Sequence, residues 1–240
     1  NDEMRSNVAM IVDYDFFNEN AYFGADKGYT GGQHMANLNL MYTHYFTYNS
    51  LLATGLSASS RWVSEQLTDR TWGRDGVWGN SNTDNALRNF DRNETEVGAY
   101  AEYTYNIKEK FSVVAGLRYD YNAYFRKHLF TPRGHIKWNI TPRTTLRASA
   151  GMGYRRQNLV TDNVWMMTTS RNILYGNLTN DMETAATFGG SLSQTFRLAG
   201  DDQTTISFDY FRTQFLNTMV FDQETADNSI LIYNTEGKSY

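Results

Sequence analysis

Between residues 97 and 121 apolar side chains recur at every second position. Val97, Ala99, Ala101, Tyr103, Tyr105 and Ile107 alternate with Gly98, Tyr100, Glu102, Thr104 and Asn106. After Lys108-Glu109-Lys110 the alternation resumes, with Phe111, Val113, Ala115, Leu117, Tyr119 and Tyr121 set against Ser112, Val114, Gly116, Arg118 and Asp120. A period of two marks a strand whose two faces meet different surroundings, and a short polar interruption between two such runs predicts an antiparallel hairpin.

The same unit recurs along the chain. Ile136, Trp138 and Ile140 alternate with His135, Lys137 and Asn139; a turn follows at Thr141-Pro142-Arg143, and the return runs through Leu146, Ala148, Ala150, Met152 and Tyr154. On that return Arg147, Ser149, Gly151, Gly153 and Arg155 take the other face. Upstream, Ala36, Leu38, Leu40 and Tyr42 precede a turn at Tyr48-Asn49-Ser50 and a strand through Leu52, Leu56, Ala58 and Trp62. Downstream, Phe188, Leu192 and Phe196 lead to a polar turn at Gly200-Asp201-Asp202 and then to Ile206, Phe208 and Tyr210. Further strands are expected near Val8 to Phe16 and Ile230 to Tyr233, about ten in all.

The connections separate two all-β architectures. Short turns near 48–50, 108–110, 141–143 and 199–203 close one end of each hairpin, whereas segments 69–92 and 156–182 are long and rich in Asn, Asp, Gly, Thr and Trp. Soluble domains seldom carry structureless loops of that length. Outer-membrane barrels combine short periplasmic turns with long extracellular loops, a polar lumen and an apolar outer band. The polar mid-strand residues Glu102, Arg118, Asp120, Lys137, Arg147 and Arg155 suit a lumen. Tyr14, Tyr42, Phe46, Trp62, Tyr105, Tyr119, Tyr121, Trp138, Tyr154 and Tyr210 gather toward strand ends, as aromatic girdles do. The competing reading is a soluble β-domain with aromatic cross-strand pairs, of a kind that binds carbohydrate.

Composition narrows the function. The 240 residues include 17 Tyr, 14 Phe, 18 Gly and only two Pro, with a mean hydropathy of -0.59. A transmembrane helix needs about 20 consecutive apolar residues, and no such run is present, but barrel strands cross with about 9–11 residues and escape that criterion. A formal charge of -4 argues against a nucleic-acid partner. The absence of cysteine excludes disulfides and thiol catalysis. The four histidines, His34, His44, His128 and His135, show no metal-ligand spacing, no metal site or hydrolytic triad stands out, and Gly151-Met152-Gly153 lacks the third glycine of a dinucleotide loop. An enzyme is therefore not expected.

The ordered set Glu94-Thr95-Glu96-Val97-Gly98-Ala99-Tyr100-Ala101-Glu102-Tyr103, Ala115-Gly116-Leu117-Arg118-Tyr119-Asp120, Thr131-Pro132-Arg133 and Leu146 to Arg155 resembles the barrel of TonB-dependent receptors. Glu183, Asp209-Tyr210-Phe211 and Tyr233 to Tyr240 extend the resemblance, which covers about 90–240 closely and the first 90 residues loosely. It implies that 1–240 is part of a barrel of about 22 strands in the bacterial outer membrane, without its plug domain and C-terminal strands. Such a receptor imports a scarce ligand (siderophore-iron, cobalamin, haem or a glycan) using energy delivered by the TonB complex through the plug. A surface lipoprotein is a further partner, lipid the surroundings, and no cofactor is implied. A passive diffusion porin is the alternative transport reading.

Two residue groups follow as site candidates. Exposed aromatic, methionine and arginine side chains of the long loops, Trp72, Trp78, Trp165, Met166 and Arg171, are expected to face ligand. Glu102, Arg118, Asp120, Arg147 and Arg155 are expected to face the lumen or a plug. Glu94 and Glu96 share the polar face with Glu102, where solvation by lumenal water is the expectation.

Overall fold

The computed structural model describes residues 6–23, 27–69, 86–89, 91–108, 110–156, 162–163, 172–175, 182–197, 203–224 and 229–235. Nine long strands form a single meander: β1 (Asn7–Phe23), β2 (Lys27–Thr47), β3 (Ser50–Asp69), β5 (Arg92–Ile107), β6 (Phe111–Asn122), β7 (Lys127–Thr141), β8 (Thr144–Arg155), β10 (Glu183–Arg197) and β11 (Gln203–Asn217). Each is antiparallel to its neighbours, and β4 (Ala86–Asn89) pairs with the end of β3. Among the described residues the sheet is open, since β1 pairs only with β2 and β11 only with β10.

The expected faces are those observed. Leu56, Ala99, Tyr119 and Phe130 follow one another across β3, β5, β6 and β7 in register, as the alternation requires. Leu56, Leu117, Phe130 and Phe208 on that apolar face are 60%, 52%, 59% and 73% exposed. Glu65, Glu94, Glu96, Asp120 and Asn122 on the other face are buried. A soluble sandwich buries its apolar set, so an exposed apolar band over a buried polar interior selects a membrane barrel wall. Hydroxyls line the polar face further along, where Thr187–Thr213, Ser193–Ser207 and Thr195–Thr205 bridge β10 and β11 at 3.0, 2.9 and 3.0 Å.

Three expectations need correction. The strand at Ile230 to Tyr233 exists, as β13 (Ser229–Asn234), but outside the wall: it pairs antiparallel with β12 (Met219–Asp222) and parallel with β9 (Asn172–Tyr175), and Ile230 and Ile232 are buried. The long connections 69–92 and 156–182 are not wholly irregular, because they contain β4 and β9. Tyr154 departs from the aromatic girdle, and its hydroxyl donates to Glu96 at 3.1 Å on the polar side. Its displacement coincides with a break in the wall: the β7–β8 ladder runs from Thr141↔Thr144 to Arg133↔Gly151 and stops at Pro132, which has no N–H to donate.

Candidate functional site: an ionic network on the polar face

Register brings together residues far apart in the chain. Arg61 on β3 lies directly opposite Glu94 on β5, Glu96 opposite Asn122 on β6, and Gly98 opposite Asp120. Arg61 donates two hydrogen bonds from one terminal nitrogen to the Glu94 carboxylate, at 2.9 and 2.8 Å. Arg92 bridges two carboxylates, with Nε to Glu94 at 2.8 Å and Nη1 to Glu65 at 2.6 Å. Arg156, just past β8, closes the group by pairing with Glu94 at 3.2 Å and Glu96 at 3.0 Å. Tyr29 donates to Glu65 at 3.2 Å and Asn122 to Glu96 at 3.1 Å.

A second pair adjoins it. Arg118 Nε donates to both oxygens of Asp120, at 3.0 and 2.7 Å, and its Nη2 reaches Ser57 at 2.7 Å. Two glycines make room. A Cβ at Gly98 would stand 2.0 Å from Asp120 Oδ1, and one at Gly55 would stand 2.5 Å from the Tyr100 ring over which Arg118 lies. Glycine here lets a neighbouring strand's side chain fold flat across the backbone.

Arg61, Arg92, Arg118 and Arg156 face Glu65, Glu94, Glu96 and Asp120, so the network has no net formal charge. Glu94 lies fourteen residues from the turn residue Lys108, beyond the 9–11 residues that cross hydrocarbon. Burial opposes its ionisation, yet Arg61, Arg92 and Arg156 together hold its carboxyl below the usual carboxylate range. Burial likewise opposes charge on Arg92, and Glu65 and Glu94 more than offset it. Glu94 and Glu96 are thus sequestered by arginines rather than solvated, contrary to the expectation from the strand pattern. Each of these charges has an ion-pair partner, although the buried Arg61 Nε makes no hydrogen bond, and the network ties β2, β3, β5, β6 and β8 together at one end of the wall.

The lumen candidates divide accordingly. Arg118 and Asp120 belong to the network, whereas Glu102 pairs with Arg133 at 2.6 Å in a more open setting. Arg155 pairs with Asp162 at 2.9 Å and Glu183 at 3.2 Å, apart from the glutamate group. Arg147 is exposed on the polar face directly opposite Lys137, beside His135, in a shallow cavity of about 370 Å³ whose one carboxylate is Asp209. The loop candidates Trp72, Trp78, Trp165, Met166 and Arg171 lie outside the described residues. Among the described residues no group of three or more His, Cys, Asp or Glu is arranged to hold a metal ion. Arg61, Glu65, Arg92 and Arg156 escape sequence reasoning, because only the register shows which arginine meets which carboxylate.

No curated protein sequence matches the chain. Solved structures of similar shape include the copper transporter OprC (TM-score 0.60, 12% identity, 97% of this chain and 39% of that one). P. aeruginosa FpvA bound to heterologous pyoverdines aligns with TM-score 0.60 at 13% identity, over 95% of this chain and 34% of that one. The outer membrane transporter YddB from Escherichia coli aligns with TM-score 0.56 at 11% identity, over 95% of this chain and 35% of that one. The chain thus spans about a third of the length of these structures, and at such identities the likeness speaks for the fold. The family profile described as "TonB dependent receptor-like, beta-barrel" matches residues 4–240, so the chain belongs to the β-barrel family of TonB-dependent receptors.

Proposed function

We propose that the chain forms part of the wall of an outer-membrane receptor that imports a scarce ligand, a metal chelate foremost, with energy from the TonB complex acting on a plug. The single observation that carries this reading is the inverted wall, apolar where it is exposed and polar where it is buried, in a chain of this family. Glu102, Arg133, Lys137 and Arg147 offer charged contacts, and His135 a polar one, to a plug or a passing ligand. Trp72, Trp78, Trp165, Met166 and Arg171 are assigned to ligand capture on the outer side, with a surface lipoprotein as a second occupant of that side. The wall itself performs no covalent chemistry in this account.

Uptake of radiolabelled ferric siderophores, copper, cobalamin, haem and oligosaccharides by cells expressing the full-length receptor tests the proposal. Accumulation of one ligand that stops when TonB is deleted supports it. Accumulation independent of TonB, with liposome swelling in small sugars, replaces it with a diffusion porin.

A further inference from the structure

Toward the outer end of β1, β2 and β3 the lipid-side face of the wall changes character. Phe16, His34 and Trp62 stand in one row across the three strands, and Trp62 lies ten residues past Leu52, where the outward apolar positions of β3 begin. About 9–11 strand residues cross the hydrocarbon layer, so this row marks its outer boundary. The next two outward rows are Asn18–Gly32–Ser64 and Asn20–Thr30–Gln66, without an apolar side chain. Asp91 joins the first of them, its Oδ1 accepting from the Ser64 hydroxyl at 2.7 Å. Alternation keeps both rows on the lipid side, since Tyr29, Val63 and Glu65 between them are buried on the other face.

The two rows enclose a cavity of about 630 Å³, within the range of about 300–1,000 Å³ usual for small-molecule sites. Gly32 forms its floor: a Cβ there would meet a single atom within 4 Å, Asn18 Oδ1 at 3.1 Å, and glycine inside a strand permits such close approach by a ligand. Asn18, Asn20 and Thr30 are exposed, and among the described residues their side chains have no hydrogen-bond partner. Amides, hydroxyls and a carboxylate offer donors and acceptors side by side, which suits a ring of hydroxyl groups. No described Lys or Arg lines the cavity and Asp91 is its one charge, so an anionic headgroup is opposed. Two strand spacings, about 9–10 Å, separate β1 from β3, which leaves room for one sugar ring.

From the hydrogen-bonding lining, the glycine floor and the position just above the lipid-facing band, we infer that this patch binds an uncharged sugar carried on a membrane lipid. Hydroxyls of the sugar bond Asn18, Asn20, Thr30 and Asp91 over Gly32. One face of its ring rests on Phe16 and Trp62, which are 69% and 43% exposed, and its hydrocarbon chain follows the apolar band below them. A ligand crossing the lumen does not reach this side of the wall. The inference rests on the membrane reading above, which TonB-dependent uptake tests without involving this patch.

The test uses the full-length receptor in a polyoxyethylene detergent, titrated with dodecyl maltoside and followed by native mass spectrometry. One dodecyl maltoside is retained, while maltose, which lacks the chain, and dodecylphosphocholine, which lacks the sugar, each bind roughly tenfold more weakly or worse. Gly32→Leu fills the floor of the cavity, and the double variant Asn18→Ala/Asn20→Ala removes two of its amides, each weakening dodecyl maltoside about tenfold. Both asparagines are exposed, so the double variant keeps the test valid should leucine disturb the strand. Retention unchanged in either variant, equal binding of maltose or of dodecylphosphocholine, or no retained dodecyl maltoside would each overturn the inference.

Discussion

Replacing Glu94 with alanine removes the carboxylate shared by Arg61, Arg92 and Arg156. Glu94 is 1% exposed and the three arginines 11%, 12% and 14%, so solvent does little to screen what remains. Removing one partner from a buried ion pair costs about 3–5 kcal/mol, because a desolvated charge is left uncompensated. Wall stability should fall by about that amount, read as a lower guanidinium midpoint of the full-length receptor in detergent micelles and as faster amide exchange across residues 92–96. The double variant Arg61→Met/Glu94→Met should recover part of the loss, since removing both partners leaves less charge unmatched. A Glu94→Ala receptor within about 0.5 kcal/mol of the parent, with exchange unchanged, would refute the assignment of the network as a mechanical tie.

Acid should loosen the same region. The folded carboxyl of Glu94 titrates below its unfolded counterpart, so its stabilisation is full above the ordinary carboxylate range and disappears as pH falls through the folded value; pH-dependent amide exchange at residues 92–96 checks this. Gly98→Val should cost about 1–3 kcal/mol through collision with Asp120, whereas Gly153→Ala should be nearly neutral, a contrast measured by denaturant midpoints. Leu56→Arg on the exposed apolar face, seven residues from Asn49 in the turn, should cost about 2–4 kcal/mol in a bilayer, against little for Ser193→Arg on the polar face. Refolding equilibria in lipid vesicles separate these two, and equal costs would count against the assigned faces.

The wall was legible in the sequence because one face of each strand meets lipid and the other does not. The runs 97–107, 111–121 and 146–152 keep strict alternation, and their hairpin pairings follow from turns that contain few residues. Legibility failed where that physical cause ends. β2 and β3 continue well past the last alternating residue, through Gly31, Gly32, Ser64 and Glu65, where neither face touches lipid. Tyr154 read as part of the girdle, but beside the β7–β8 division its ring serves Glu96 instead. The ionic network was visible only in fragments: Glu94 and Glu96 at even spacing were plain, but Arg61 on β3 and Arg156 after β8 are set against them by register and not by local pattern. Parallel pairing of β13 with β9, 57 residues earlier at Ser229↔Asn172, likewise leaves no periodic signal.

The central claim is that alternate residues of these strands face lipid and lumen, and these 240 residues contain no cysteine of their own to take up a label. Spin labels placed singly at Ser112, Val113, Val114, Ala115, Ala148, Ser149 and Ala150 of the full-length receptor in bilayers report contact with lipid through collision with dissolved oxygen. Oxygen contact should be high at Val113, Ala115, Ala148 and Ala150 and low at Ser112, Val114 and Ser149. Uniform values, or the opposite alternation, would contradict the barrel wall described above.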